Sequence, residues 1–338
     1  MVPLKSEPVE SFAFFTNQTR RNERPNLLFI LVLLSIASGT THASAQDPRI
    51  DRALNIQAES VAFRASGFLS PTEDDFSNEL FAPSSPGDDD LGIQLLLKEE
   101  RELKFWTIYG SAMGTYTTNA PLIREPQLDD AFLTGTIGVQ YSRPLTPQLS
   151  ITAGISEQWI RYEEFSFLDF DAFTGNIGLG YYEPRLWDLS FYLRYGYDRL
   201  STATLSSAFF QNHTITLGAQ RFVPLTRAHY FYFGAEAEWG WGIPSQPQRD
   251  EYVIYGGYNV NLSRWIAGQV FFRGGIYEYN FIDRTDYNQT VGLALAWRMN
   301  DYMTLSAQLT HNLNRSNRAV FDYGALNVGG GLQASFQF

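Results

Sequence analysis

The sequence contains no cysteine among its 338 residues, which excludes a disulfide-stapled scaffold and any metal site with thiolate ligands. Basic residues are also scarce: 25 Lys and Arg stand against 36 Asp and Glu, and the formal net charge is −11. We therefore expect no nucleic-acid partner, because a phosphate backbone is bound by a basic surface. The sequence has no metal-ligand spacing, phosphate loop or nucleotide fingerprint, so no metal and no cofactor are expected.

Long apolar runs are missing too, and the longest is LLFILVLLSI at residues 27–36. This run is about half as long as the roughly 20 residues that a membrane-spanning helix needs. Three arginines precede it within residues 20–24, and the small tripeptide ASA at residues 43–45 follows it. A basic segment, a short apolar run and a small-residue cleavage site are typical of a secretory signal peptide, which we predict for residues 1–45. The alternative interpretation is a soluble core helix.

The next segment, residues 46–102, is rich in Ser, Pro, Asp and Glu and contains the breaker cluster SSPGDDD at residues 84–90. Its acidic runs are typical of a solvated linker. We predict a periplasmic acidic tail of low order. The amphipathic piece LGIQLLLKEERE at residues 91–102 could instead form a short helix, a lead-in strand or a plug inside the domain that follows.

What the chain does contain is a six-fold repeat, in which one glycine recurs about every 35 to 40 residues. The six glycines are Gly138, Gly178, Gly218, Gly257, Gly292 and Gly329. Each repeat comprises a strand, a short turn, a second strand and a longer loop. A fixed period of this kind indicates one repeated supersecondary unit.

Strict alternation of apolar and polar residues predicts twelve strands from residue 103 onward. Their expected bounds are 104–118, 131–143, 149–162, 172–183, 187–199, 209–222, 229–241, 251–261, 264–279, 288–298, 302–313 and 325–338. Each reaches the 9–11 residues with which a tilted strand crosses a bilayer. We therefore predict an all-β fold for residues 103–338: an antiparallel up-and-down transmembrane β-barrel with short periplasmic turns and longer outer loops.

A soluble β-sandwich also alternates, so the choice between the two folds depends on the aromatic residues, 15% of the chain. Aromatic residues recur at both ends of the strands, as expected for side chains at two membrane interfaces. On the turn side these are Tyr141, Tyr181, Trp187, Tyr230, Trp265, Trp297, Tyr302 and Phe338. On the loop side they are Tyr116, Trp159, Trp239, Trp241, Tyr252, Tyr277 and Tyr279.

The last strand closes on a row of alternating hydrophobic residues that ends in an aromatic residue: Leu332, Ala334, Phe336 and Phe338. This row resembles the C-terminal signature of bacterial outer-membrane β-barrels, porins among them. The resemblance implies a location in the bacterial outer membrane, contact with outer-membrane lipid and recognition of this strand by the barrel-insertion machinery. It identifies a class of barrel and implies no particular activity.

Several charged residues fall at strand positions that would face the lumen. The candidates for a lumen constriction are Arg194, Glu236, Glu238 and Arg273, with Asp198 and Arg298 as weaker ones. Such charges either form ion pairs that brace a narrow lumen or line a water-filled constriction that selects ions. Other ionisable residues have lipid-facing parity near strand ends: Glu157, Arg161, His213, Arg221, His229 and His311. We interpret these as interfacial, or as a sign that a β-bulge shifts the register of their strands.

The six repeat glycines are expected to point inward. They either ease curvature and let a neighbouring aromatic ring cover the backbone, or they widen the lumen at one depth.

The predicted function is a porin-like channel for the passive passage of small solutes. The alternative is a non-conducting structural or interaction barrel that binds a partner through its outer loops or its periplasmic tail. We expect no enzymatic activity. A lipase-type site on such a barrel needs serine two residues after histidine, and His213, His229 and His311 lack it.

Overall fold

The computed structural model describes residues 47–54, 56, 104–203, 207–226 and 228–338. The predicted signal peptide and most of the predicted tail lie outside the described residues. In the described part of the chain, no helix combines the length and the apolar character needed to cross a bilayer.

Twelve antiparallel strands form the domain, as the alternation predicted. They are β1 (Trp106–Thr117), β2 (Asp130–Pro144), β3 (Leu149–Tyr162), β4 (Phe170–Glu183), β5 (Leu189–Thr202), β6 (Ala208–Pro224), β7 (His229–Ile243), β8 (Arg249–Asn261), β9 (Ile266–Tyr279), β10 (Arg284–Arg298), β11 (Met303–Ser316) and β12 (Tyr323–Gln337). Every predicted strand is present, with ends shifted by a few residues.

The sheet closes on itself, because each strand pairs with its neighbours in sequence and β1 pairs with β12. In the closing pair, Thr107 lies opposite Gln337 and Thr117 lies opposite Asn327. The amide of Phe338 donates to the carbonyl of Trp106 at 3.0 Å, which extends this seam to the last residue. A closed barrel leaves no unpaired edge, the condition for crossing lipid with strands.

The two faces of each strand meet different surroundings, and β10 shows this most clearly. Leu293 and Leu295 are 50% and 54% exposed on the outer surface, whereas Ala294 and Ala296 between them are 4% and 6% exposed. Large apolar side chains cover the outside of the barrel all round, which is the arrangement that a lipid environment requires.

Most of the residues predicted for the two aromatic belts lie on the outer surface of the barrel, but three of them face the lumen. Tyr277 and Tyr279 are 1% and 6% exposed and contact lumen arginines, and Tyr230 packs against a buried cluster inside the barrel. All three have the inward parity of their strands. Trp187 also differs from the expectation, since it lies in the turn before β5 with a φ of 58°.

The outer loops are shorter than predicted, because several strands continue beyond their expected ends. β10 begins at Arg284 and β8 begins at Arg249, so the connections at 280–283 and 244–248 are as tight as the turns on the other side. Only the connection between β1 and β2, residues 118–129, is long.

A single helix, α1 (residues 48–54), precedes the barrel in the described part of the chain. These residues belong to the segment expected to be a tail of low order, and the structure instead places them inside the loop end of the barrel. The reason is an apolar face: Ile50 and Ala53 are 3% and 1% exposed, with Leu54 packed beside them. Positions three and four apart share one side of a helix.

Candidate functional site

Charged residues of three adjacent strands form one side of the lumen at its loop end, here called the ionic wall. Its members are Arg249 and Glu251 of β8, Arg273 of β9, and Arg284 and Asp286 of β10. Glu251 binds two arginines, with 2.6 Å to Arg249 Nη2 and 3.1 Å to Arg273 Nη2. Arg284 forms its own ion pair with Asp286. These side chains are at most 12% exposed, and each arginine has a carboxylate partner, as burial requires.

Two tyrosines of β9 hold the arginines of the ionic wall in place. The Arg249 guanidinium lies 4.1 Å from the centre of the Tyr277 ring, and that of Arg284 lies 4.2 Å from the centre of the Tyr279 ring. Arg249 Nη1 also donates to the Tyr279 hydroxyl at 3.1 Å. Stacking on ring faces and directional hydrogen bonds fix a planar guanidinium more tightly than an ion pair alone does.

Helix α1 contributes a carboxylate to the ionic wall. Asp51 Oδ1 lies 3.7 Å from Arg249 Nη1, and Asp51 Oδ2 lies 3.6 Å from Arg284 Nη2. The Tyr279 hydroxyl donates to Asp51 Oδ1 at 3.4 Å. Burial raises the pKa of the Asp51 carboxyl above its ordinary value, although Arg284 and Arg249 act to lower it.

The opposite side of the lumen at the same end is apolar. This apolar wall consists of inward-facing residues of β2 to β6: Phe132, Ile160, Phe170, Leu200 and Phe210, each at most 7% exposed. Together with Ile50 and Ala53 of α1 they form one hydrophobic cluster. The helix therefore lies between two unlike walls and presents to each the side chains that match it.

Two arginines of α1 also bind the apolar side, through its aromatic residues. Arg52 Nε donates to the Tyr162 hydroxyl at 2.9 Å, and its guanidinium lies 5.1 Å from the centre of the Phe132 ring. The Arg49 guanidinium lies 4.1 Å from the centre of the Phe209 ring. Arg49 is also paired with Asp47 of the same segment, at 2.6 Å, so its aromatic contact adds to an ion pair.

The structure brings together some of the predicted constriction residues and separates others. Arg194 Nη2 lies 3.9 Å from Glu238 Oε2, and the Thr216 hydroxyl donates to the same oxygen at 2.7 Å. Glu236 accepts a 2.7 Å hydrogen bond from the Tyr192 hydroxyl. Arg273 belongs to the ionic wall.

The two weaker candidates lie apart from this group. Asp198 accepts a 2.8 Å hydrogen bond from the Thr174 hydroxyl on the neighbouring strand β4. Arg298 is the last residue of β10, at the opposite end of that strand from Arg284. The six residues thus do not form one ring at one depth.

The repeat glycines face inward, and four of them lie under an aromatic ring of a neighbouring strand. The pairs are Gly138 with Tyr109, Gly218 with Tyr192, Gly257 with Tyr232 and Gly292 with Phe271. A Cβ added to any of the four would lie 2.2–2.6 Å from the ring. The other two, Gly178 and Gly329, face Thr152 and Thr115. In the four aromatic pairs, the ring occupies the space that a side chain at the glycine position would need.

The terminal row Leu332, Ala334, Phe336 and Phe338 faces outward along β12, and all four residues are exposed. The rings of Phe336 and Phe338 stack with their centres 5.9 Å apart, and Tyr302 lies 5.8 Å from Phe336. The row forms part of the lipid-facing surface next to the closing seam.

Most of the ionic wall lies outside the predicted constriction, because the strand bounds expected from the sequence leave Arg249 and Arg284 in loops. A signal was present: both strands begin with an arginine followed two residues later by an acid, Arg249 with Glu251 and Arg284 with Asp286. Residues two apart share one face of a strand, so each pair could form within its own strand. Asp51 could not be placed, because nothing in the sequence docks α1 inside the barrel.

Within the described ranges, no three or more acidic or histidine side chains are grouped so that they could hold a metal ion. No family model and no curated protein matches the sequence. An outer-membrane channel from Pseudomonas putida F1 superposes with a TM-score of 0.52 at 10% identity, over 70% of this chain and 97% of that one. An anion-selective porin from Comamonas acidovorans covers 69% of this chain and 100% of its own, with a TM-score of 0.36 at 9% identity. At such identities the likeness is one of fold.

The closed twelve-stranded sheet, its apolar outer surface and this likeness define the class: the chain is an outer-membrane β-barrel. The predicted fold class, the family resemblance and the location in the bacterial outer membrane are confirmed.

Proposed function

We propose that the protein is a channel for the passive passage of small solutes, closed at its loop end by its own helix α1. The observation that carries the proposal is the charged lumen, in which Arg194, Glu238 and the ionic wall face the interior of the barrel. Charged lumen residues are how pores select among ions. Twelve strands also give an interior between that of filled eight-stranded barrels and that of open porins with about 16–18 strands.

Helix α1 supports a gated channel, because its contacts divide between the two walls. The apolar wall buries Ile50 and Ala53, and the ionic wall binds Asp51. Arg249 and Arg284 each keep a second partner, Glu251 and Asp286, when Asp51 leaves. Release of the helix therefore leaves each arginine of the ionic wall next to a carboxylate, with one excess positive charge facing the lumen.

Conductance in planar bilayers tests the proposal. Asp51→Arg sets a third cation against Arg249 and Arg284, so we expect it to expel α1 and give frequent stepwise currents where the unmodified protein gives few. Asp51→Asn keeps the size of the side chain without the repulsion and should behave like the unmodified protein. Asp301→Arg makes the same charge change in an exposed turn at the other end of the barrel and controls for net charge.

A second candidate is a non-conducting barrel, favoured by the apolar cluster around Ile50 and Ala53 at the loop end. In that case all four proteins insert and remain silent, with folding verified by the shifted gel mobility of unheated barrels. That outcome removes the channel proposal. The proposed role is transport without catalysis, since no histidine of the barrel has the serine spacing of a lipase-type site.

A further inference from the structure

A polar cluster lies on the outer, membrane-facing surface of the barrel near its loop end. Glu157 of β3, Phe173 of β4 and Arg199 of β5 lie side by side across three strands. Their strands present Ile155 and Tyr195 to the same outer surface, 56% and 44% exposed. The charges of Glu157 and Arg199 therefore face the membrane, where water in the lumen cannot reach them.

Two atoms of this cluster are buried without a hydrogen-bond partner: Arg199 Nε and Glu157 Oε1. Beside them, Arg161 is paired with Asp171 at 2.5 Å, so those two charges neutralise each other. Among the described residues, Arg199 has neither a hydrogen bond nor an ion pair. An unpaired donor and an unpaired acceptor facing lipid are costly unless a ligand satisfies both.

The cluster surrounds an open groove of about 290 Å³, lined by Glu157, Phe173, Tyr197, Arg199 and Ser201. Arg199 lies a few residues from Thr202, the last residue of β5, and Asp171 follows the first residue of β4. The groove is thus at the edge of the apolar band, at the depth where lipid headgroups lie.

We propose that this groove binds the phosphorylated sugar headgroup of a lipid in the outer leaflet. The Arg199 guanidinium would bind the phosphate, since its planar fork matches phosphate oxygens. The Glu157 carboxylate would accept hydrogen bonds from sugar hydroxyls, which a phosphate alone cannot donate. The rings of Phe173 and Tyr197 would contact the apolar faces of the sugar. A ligand that carries both an anion and hydroxyl donors satisfies both unpaired atoms.

The chain supplies an internal control in Arg221, whose Nε is likewise buried without a partner. Arg221 faces outward at the turn end of β6, opposite Phe233 of β7, and therefore meets the other leaflet. The groove lies on the outer wall and α1 lies inside the barrel, so lipid binding and conductance are tested independently.

Native mass spectrometry of the full chain in detergent measures the binding, with four probes. These are a diphosphorylated glucosamine-disaccharide lipid (lipid A), its dephosphorylated form, phosphatidylglycerol and inorganic phosphate. We expect lipid A to bind most tightly and Arg199→Ala to weaken it about tenfold or more. Glu157→Gln should weaken lipid A several-fold and leave phosphatidylglycerol unchanged. Arg221→Ala should leave lipid A binding unchanged.

Arg199→Lys and gel mobility of the unheated barrel exclude a folding defect, since the lysine variant keeps the charge and should retain part of the affinity. Equal lipid A binding by Arg199→Ala and the unmodified protein would overturn the proposal. So would equal affinity for the dephosphorylated lipid, or full displacement of lipid A by inorganic phosphate at comparable concentration. Equal losses from Arg199→Ala and Arg221→Ala would show nonspecific lipid adhesion and also overturn it.

Discussion

At the loop end of the lumen, the wall built by β8 to β10 is ionic and the wall built by β2 to β6 is apolar. The ionic wall is almost complete in itself, because Glu251 and Asp286 pair with its three arginines and leave one positive charge, which Asp51 balances. The apolar wall is not, since Phe170 and Ile160 would face water in an empty lumen, and both are fully buried here. The two walls therefore interact with α1 in different ways. The apolar wall is shielded from water by Ile50 and Ala53, and the ionic wall receives the carboxylate of Asp51.

Inward-facing aromatic and aliphatic residues are unusual in a membrane barrel, whose lumen is generally polar. Their presence at one end, in positions such as Phe132 and Phe210, indicates an internal segment that buries them. Burial of apolar area contributes about 25 cal/mol per Å², so the contacts of Ile50 and Ala53 with the apolar wall favour docking of α1. The ionic wall sets its orientation.

The largest effect is expected from breaking the ionic wall at its shared acid. Glu251→Gln leaves Arg249 and Arg273 without their common carboxylate, and loss of one partner from a buried ion pair costs about 3–5 kcal/mol. Urea unfolding in detergent, followed by tryptophan fluorescence, measures the loss. Glu278→Gln is the control, because Glu278 lies near the same end of β9 but is exposed. Equal unfolding midpoints for the two variants would show that the ionic wall does not stabilise the barrel.

The substitution Ile50→Ala in α1 tests how much the contact with the apolar wall contributes to docking of the helix. Removing a buried isoleucine side chain costs about 2–5 kcal/mol, and here the loss falls on the docking of α1 rather than on the barrel. Limited proteolysis should therefore cleave within residues 48–54 much faster, while the unfolding midpoint of the barrel changes little. Val320→Ala, at a position that is 70% exposed, should leave both unchanged. A fall in barrel stability without faster cleavage would contradict the division between wall and helix.

Aromatic rings that cover glycines of a neighbouring strand lie nearer the turns than the contacts of α1. We expect these pairs to stabilise the packing of adjacent strands. In Gly292→Ala the new methyl group would lie 2.3 Å from the Phe271 ring, so the ring must move, at a cost of about 1–3 kcal/mol. Gly114→Ala is the matched control, because nothing lies within 4 Å of its added Cβ. This variant should be neutral or stabilise by up to about 1 kcal/mol. The same urea experiment measures both, and a difference of the opposite sign would mean that the ring is not fixed against Gly292.

The strands and the closure of the barrel could be predicted from the sequence. Alternation such as that of Leu293 to Ala296 shows that successive residues face lipid and lumen in turn. The aromatic cover of Gly292 was one of two open interpretations. The ionic wall was only partly predictable: Arg273 was found by parity, but its partner Glu251 depends on the register between β8 and β9. Docking of Asp51 is not predictable, since Asp51 and the Tyr279 hydroxyl that it contacts are 228 positions apart and strand parity says nothing about the position of a helix.

The smallest expected effect is a pH dependence of helix docking that separates the two walls. Burial raises the pKa of Asp51 above its ordinary 3.8, outweighing Arg284 and Arg249, with Asp286 acting in the same direction as burial. A carboxyl whose pKa is higher in the docked state takes up a proton on docking. Docking is therefore strongest below pH 3.8 and weakens as the pH rises through the docked-state pKa.

Limited proteolysis with an acid-active protease measures this effect, as the fraction of residues 48–54 that resists cleavage at about pH 4 and at about pH 7. Asp51→Asn should hold the acid level of protection at both values, because it removes the titrating group and leaves the apolar contacts of Ile50 intact. Protection that instead grows with pH in the unmodified protein, and not in Asp51→Asn, would mean that the ion pairs with Arg249 and Arg284 outweigh burial.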